Sequence, residues 1–263
     1  MPKFNTIRYC TKGHIAEVSL ARPEKRNAID ARMAAEIVAA MGLAGSCEST
    51  HVVVLKGLGK DFCAGADLHW MNSSGHTTDE QPAMLLSKLF ETLFRFPKPL
   101  VAVVHGSAMG GALGLIAAGD FVYATREARF AFSEVRLGLV PATISPFVVR
   151  RIGETRARQL MLTGGIVGAE EALQAGLVDR IFSGQEIEAE TAALCTKLAE
   201  NAPVAMQTCK QLIRYVAAHE LNDDLLAYTV QILEKVRNSD EAREGFLAFK
   251  EKRKAVWGRK HTT

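Results

Sequence analysis

Three observations predict an α/β fold with a helical C-terminal region. Short runs rich in valine, isoleucine and phenylalanine alternate with longer segments whose apolar residues recur at helical spacing. The alternation stops near Asn201-Ala202-Pro203, and only helical patterns follow. Of the 263 residues, 48% are hydrophobic and 23% charged. That globular balance excludes a disordered, collagenous or coiled-coil chain and is enough for a substantial core without staples. The expected division is residues 1–200 as the core and 201–263 as the helical region.

The elements follow in order. Residues 4–10 and 14–20 have β character and flank Thr11-Lys12-Gly13, the pattern of a hairpin. Residues 22–27 (RPEKRN) form a polar loop. A helix over 29–43 is signalled by the spacing of Met33, Ile37, Val38 and Met41. HVVVLK (51–56) reads as a buried strand, 57–65 as a glycine-bearing loop, and 72–81 as a mobile polar loop suited to act as a lid. A helix is expected over 83–94. Strands are expected at 120–124, 129–133 and 177–182, and helices at 144–151, 155–162 and 169–175.

Residues 100–119 (LVAVVHGSAMGGALGLIAAG) have the length and apolarity of a membrane span. The β-branched run at 101–104 gives way to glycine and alanine, Pro97 and Pro99 precede it, and Asp120 follows. A strand, a glycine turn and a buried helix account for that change better than one helix. His105, at the end of the strand, reads as a satisfied core histidine. The net charge of +3 is too small to indicate nucleic acid. Five scattered cysteines, without CxxC spacing, indicate reduced thiols rather than disulfides or zinc. The first residues show no export or transit pattern, so the expected location is cytoplasmic.

Three segments could carry chemistry. Phe62-Cys63-Ala64-Gly65-Ala66-Asp67-Leu68 would let a ligand approach exposed N–H groups, or is a strand-to-helix turn capped by Asp67. Residues 105–114 (HGSAMGGALG) place glycines at a helix start, where free amides suit a developing oxyanion; close helix packing would explain them equally. In Phe132-Ser133-Glu134-Val135-Arg136-Leu137-Gly138 a carboxylate ends a β-like run among apolar residues. Burial would raise its pKa, whereas an ion pair with Arg136 would make it structural.

In this order and at this separation, the three segments resemble the crotonase (enoyl-CoA hydratase/isomerase) superfamily. The resemblance runs from Arg22-Pro23 to 248–253 (AFKEKR). It implies a spiral of ββα turns, a helical C-terminal region that forms a trimer or a dimer of trimers, and an acyl-CoA thioester as substrate. Coenzyme A is then part of the substrate; no metal or redox cofactor, nucleic acid or membrane partner is expected. The oxyanion hole falls on the amides of Ala66 and Gly111. Of the family's two usual glutamates, one falls on Glu134 and the other on Gly114, which cannot move protons.

By the same resemblance, Lys25 and Arg26 are candidates for the CoA phosphates, beside Ala28 at the expected start of the first helix. Ala64, Asp67, Leu68 and Trp70 belong to the substrate-binding set, as do Gly110, Gly114 and Pro141. Phe249 and Lys252 are expected to reach a neighbouring subunit's CoA. ADLHWM (66–71), GGALGL (110–115) and SEVRLGLVPATISP (133–146) look like bacterial methylglutaconyl-CoA hydratases. That branch implies addition of water to 3-methylglutaconyl-CoA, with Glu134 moving the protons and Arg136, Arg150 or Arg151 meeting the substrate carboxylate. The rivals are a one-glutamate enoyl-CoA isomerase, a hydratase of a longer branched glutaconyl-CoA, and a non-catalytic acyl-CoA or RNA binder.

Overall fold

The computed structural model describes residues 3–73 and 81–257. Strands β1 (Ile7–Lys12) and β2 (Ile15–Leu20) form the expected antiparallel hairpin. Helix α1 (Ala31–Ser46) starts later than its apolar pattern suggests. The Asp30 carboxylate accepts the Met33 N–H and fixes the first turn there, so Ala28 precedes the helix. Then come β3 (Val52–Gly57), α2 (Leu68–Met71), α3 (Pro82–Arg95), β4 (Leu100–Val104), β5 (Ser107–Met109) and α4 (Ala112–Ala117). β6 (Phe121–Thr125) and β7 (Arg129–Ala131) lead into a 3-10 turn, Ser133–Leu137. The remainder is α5 (Ser145–Thr163), β8 (Val167–Gly168), α6 (Ala169–Gln174), β9 (Arg180–Phe182), α7 (Ile187–Ala199), α8 (Pro203–Val216), α9 (Asp223–Arg237) and α10 (Asp240–Glu251).

The large sheet has the order β1-β2-β3-β4-β6-β9 and is parallel from β2 onward. A parallel sheet covered on both faces needs continuous apolar strands, and β4 is buried at every residue. A second layer holds β5-β7-β8. Parallel bridges Cys63–Ala108 and Ile29–Ala66 extend it. The chain thus lays a strand in the large sheet, a short strand or bridge in the second layer, then a helix, and repeats. This is the spiral of ββα turns. One face of the large sheet packs in the main core with Met33, Ile37, Phe90 and Leu113. The other carries Val52, Val54, Val101 and Val103 against Ile187 and Cys195 of α7.

Several boundaries differ from those read in the sequence. Residues 100–119 hold two strands and a helix; the glycine turn conceals β5. No helix among the described residues is long and apolar enough to cross a membrane. The strand expected over 129–133 ends at Ala131, and that over 177–182 begins at Arg180. The helices expected at 144–151 and 155–162 are present as two helical stretches within α5, separated by a kink where Gly153 leaves helical geometry at φ 73°. The expected lid lies largely at positions 74–80, outside the described residues.

A polar tie joins the loops beneath the second layer. The buried Asn27 side chain donates to the Leu58 and Asp61 carbonyls at 2.8 Å each and accepts the Arg22 N–H at 2.9 Å. Arg22 also bridges Asp30 at 2.9 Å and Asp67 at 3.4 Å. Asp61 accepts the Ser107 N–H and the Arg26 Nε, both at 2.9 Å. Burial alone would raise the Asp61 pKa, but these donors hold it below the usual carboxylate value.

Candidate active site

The second layer's ladder leaves two peptide N–H groups over. Parallel pairing uses alternate amides: Ile29 N–H donates to Gly65 O, and Asp67 N–H to Ile29 O, both at 2.8 Å. The Ala66 N–H between them therefore points away from Ile29. Along β5, Met109 N–H donates to Cys63 O at 3.0 Å and Gly110 N–H to Ala131 O at 2.8 Å, which leaves Gly111 as the next amide beyond the ladder. Among the described residues, neither the Ala66 nor the Gly111 N–H reaches a protein acceptor.

These amides are close neighbours. A Cβ built on Gly111 would lie 3.4 Å from the Ala66 nitrogen. Gly65 makes the approach possible: its φ is +94°, and a Cβ there would lie 2.6 Å from the Met109 carbonyl oxygen and 3.3 Å from the Gly111 nitrogen. α4 has only six residues, so the two aimed amides, rather than a long helix dipole, supply the positive field.

Glu134 stands beside them. A Cβ on Gly110 would come 3.3 Å from Glu134 Oε1 and 3.9 Å from Oε2. Among the described residues, Oε2 is buried and meets no hydrogen-bond donor. Burial pushes the carboxyl above its ordinary pKa, and its own amide offsets only part of that. The 3-10 turn, not a strand end, sets this position: Leu139 N–H donates to Glu134 O at 3.0 Å, and Gly138 closes the turn at φ 71°. Among the described residues no ion pair joins Glu134 to Arg136, which is exposed.

The amides and the carboxyl line a cleft of about 300 Å³. Of the residues expected there, Ala64, Ala66, Leu68, Gly110, Gly111, Glu134 and Pro141 line it. Met71, Leu86, Leu137, Leu139, Val140 and Ile144 give it an apolar wall, and Gly65, Ser133 and Thr143 complete the lining. Leu137, Leu139 and Val140 are 57%, 43% and 70% exposed, an unusual cost for such side chains unless the cleft mouth uses them. The apolar run after Gly138 was the available signal. No lysine or arginine is among the described lining residues.

The remaining expected residues do not line this cleft. Gly114 is buried behind it: a Cβ there would meet Ile144 Cγ2 at 2.5 Å and Phe90 Cε1 at 2.8 Å, so no second acid has room. The Asp67 carboxylate caps α2 through the His69 and Trp70 amides and pairs with Arg22. Burial opposes its ionisation, yet the Trp70 and His69 amides and Arg22 hold its pKa low. Trp70 packs against the main core. Arg26 is paired with Asp61, while Lys25 and Ala28 flank it on the 22–30 loop. Arg151 is structural, donating to Leu177 O and Gly119 O at 2.9 Å each and to Asp179. His105 is half-buried, its Nε2 2.9 Å from Gly59 O. Phe249, 87% exposed, and Lys252, at the left-handed end of α10, lie on the C-terminal helices. Among the described residues, no group of three or more His, Cys, Asp or Glu side chains is placed to hold a metal ion.

Two free amides and one desolvated carboxyl can hold a carbonyl oxygen as it gains charge while a proton moves at a neighbouring carbon. Comparison with known proteins agrees. The family model for enoyl-CoA hydratase/isomerase matches residues 11–260. The short-chain-enoyl-CoA hydratase of Clostridium acetobutylicum is 30% identical, over 96% of this chain and 97% of its own. The 2,3-dehydroadipyl-CoA hydratase of Escherichia coli K12 is 32% identical, over 90% and 92%. The crystal structure of an enoyl-CoA hydratase from Shewanella pealeana superposes with a TM-score of 0.92 at 35% identity, covering 97% of each chain. With its site geometry, its spiral and these matches in accord, the chain belongs to the enoyl-CoA hydratase/isomerase family.

Proposed function

We propose that the protein hydrates a branched, carboxylated enoyl-CoA, 3-methylglutaconyl-CoA, to 3-hydroxy-3-methylglutaryl-CoA. The observation that carries the hydratase reading is the unpartnered, buried Glu134 Oε2 beside the free Ala66 and Gly111 amides. The choice of acyl group rests on the resemblance over residues 133–146. In this mechanism the Ala66 and Gly111 amides donate to the thioester carbonyl oxygen. Glu134 takes a proton from water as the hydroxyl bonds to the β-carbon and the double-bond electrons move onto the thioester. The Glu134 carboxylic acid then returns that proton to the α-carbon, so one water is added and the base is regenerated. Each oxyanion donor is worth about 2.7–4 kcal/mol in sites of this kind. The raised pKa makes Glu134 a better base than an exposed carboxylate.

A second reading, enoyl-CoA isomerase, is favoured by the blocked niche at Gly114, because one carboxyl suffices to move a proton between two carbons. The test is a panel of methylglutaconyl-CoA, crotonyl-CoA and a 3-enoyl-CoA, each followed for loss of the double bond and for its migration. Hydration of methylglutaconyl-CoA with the highest kcat/KM supports the proposal. Preference for crotonyl-CoA removes the carboxylated substrate but keeps the hydratase. Migration without hydration makes the protein an isomerase. Self-association to a trimer or dimer of trimers is part of the proposal and is supported by exposed Leu221, Val230, Leu233, Phe246 and Phe249 on and between α8–α10. Sedimentation velocity checks it; a monomer at micromolar concentration would remove it.

A further inference from the structure

The geometry points to Ile144 as the depth stop of the acyl pocket, the residue that limits the site to short acyl chains. This rests on the reading that the cleft at Glu134 holds an acyl-CoA. Ile144 is 1% exposed and belongs to the cleft wall. Its Cγ2 would lie 2.5 Å from a Cβ on Gly114, and the Phe90 ring edge would lie at 2.8 and 2.9 Å from the same point. The side chain of Ile144 therefore fills the niche that the missing side chain of Gly114 leaves on α4. Gly114 lies within α4, four residues after Gly110, which sits beside the Glu134 carboxyl and, with φ +51°, precedes the helix. Ile144 thus lines the cleft on one side and fills the niche at Gly114 on the other, so it closes the cleft toward α4.

The stop is rigid. Ile144 O accepts the N–H groups of Phe147 and Val148, at 3.1 and 3.0 Å, so its backbone is held at the start of α5. A β-branched side chain has little rotamer freedom. Behind it Phe90 is fully buried and meets Phe147 edge to face at 6.3 Å, and Leu86 continues the wall. Ile144, Phe90, Phe147 and Leu86 are all hydrocarbon side chains. A tail that ends at Ile144 gains apolar contact, and a longer one must displace a close-packed wall. One methylene at such a wall is worth about 10–200-fold in discrimination.

The experiment measures binding of butyryl-CoA, hexanoyl-CoA and octanoyl-CoA by calorimetry to the full chain, wild type and Ile144→Ala. These thioesters have no double bond, so the measurement does not depend on turnover. The wild type is expected to bind octanoyl-CoA at least tenfold more weakly than butyryl-CoA, and Ile144→Ala to reduce that ratio at least tenfold. Ile144→Val, which trims one carbon and keeps the branch against Gly114, guards against misfolding of the alanine variant and is expected to reduce the ratio about threefold. Equal wild-type affinity for butyryl- and octanoyl-CoA overturns the inference, as does an unchanged ratio in a folded variant or the binding of none of the three. If the ratios move as expected while no enoyl-CoA is hydrated, the proposed function fails and the depth stop stands.

Discussion

Glu134→Gln separates the catalytic from the structural consequences of an unpartnered buried carboxyl. The substitution keeps shape and removes ionisation. Oε2 is buried without a hydrogen-bond donor, and burial raises the pKa. The native state therefore holds the proton to higher pH than the unfolded chain, whose carboxyl titrates near its ordinary value. Below that value both states are protonated and E134Q gains nothing. As pH rises through the raised native pKa, ionisation progressively destabilises the wild type, so the advantage of E134Q grows and then levels off. An unsatisfied buried polar group costs about 1–3 kcal/mol, and more when charged. Glutamine leaves a polar atom at the same place, so only the extra cost of the charge separates the two; E134Q should melt above wild type at pH 8, by about 2–4 °C for each kcal/mol of that cost in chains near this size. Its kcat should fall by about 10²–10⁴-fold with the loss of proton transfer. Thermal melts from pH 4 to 8 at matched protein concentration check this. E134Q melting below wild type at pH 8, or a difference that ignores pH, refutes the reasoning, and unchanged turnover removes Glu134 from the reaction.

Four other outcomes are expected. In wild type, kcat/KM should fall on the acid side through a pKa above the ordinary glutamate range, because the base is lost when Glu134 is protonated; a pH–rate profile flat through that range contradicts this. Gly65→Ala forces a Cβ to 2.6 Å from Met109 O beside the Gly111 amide; kcat should fall about 10²–10³-fold, with a lowered melting temperature seen by calorimetry. Gly114→Ala should lower the melting temperature, because overpacking against Ile144 and Phe90 at about 1–3 kcal/mol outweighs the helix-propensity gain of about 1 kcal/mol; a rise in melting temperature would mean the niche is looser than described. Asp67→Ala removes a cap and the Arg22 pair, so stability should drop by about 1 kcal/mol in denaturant titration with KM unchanged, since this carboxylate does not line the cleft.

The sequence showed those parts of the fold that depend on local pattern. The hairpin, β3, β4 and α3 stand close to where periodicity puts them, since each buries a contiguous face. The second layer was not legible. β5 and β8 have three and two residues, too few to show alternation, and owe their existence to pairing with β7. The amides of Ala66 and Gly111 were reached through the family resemblance; the glycines beside them fitted a ligand approach or plain packing, and the folded chain is what leaves both N–H groups over. What replaces the missing acid at Gly114 was not legible, since Ile144 and Phe90 arrive from elements 30 and 24 residues away. Asn27 and Asp61, read as ordinary loop residues, tie three loops together through contacts that only the folded chain brings into range.

Both donors proposed to face the thioester oxygen are peptide groups. Short of proline, no codon change at positions 66 or 111 can delete either one, so substitution at these sites acts by crowding or tilting rather than by removing a functional group. Variation in chemistry across such a scaffold therefore has to come from the acid and from the hydrocarbon around it, with the electrophile-holding part inherited as architecture.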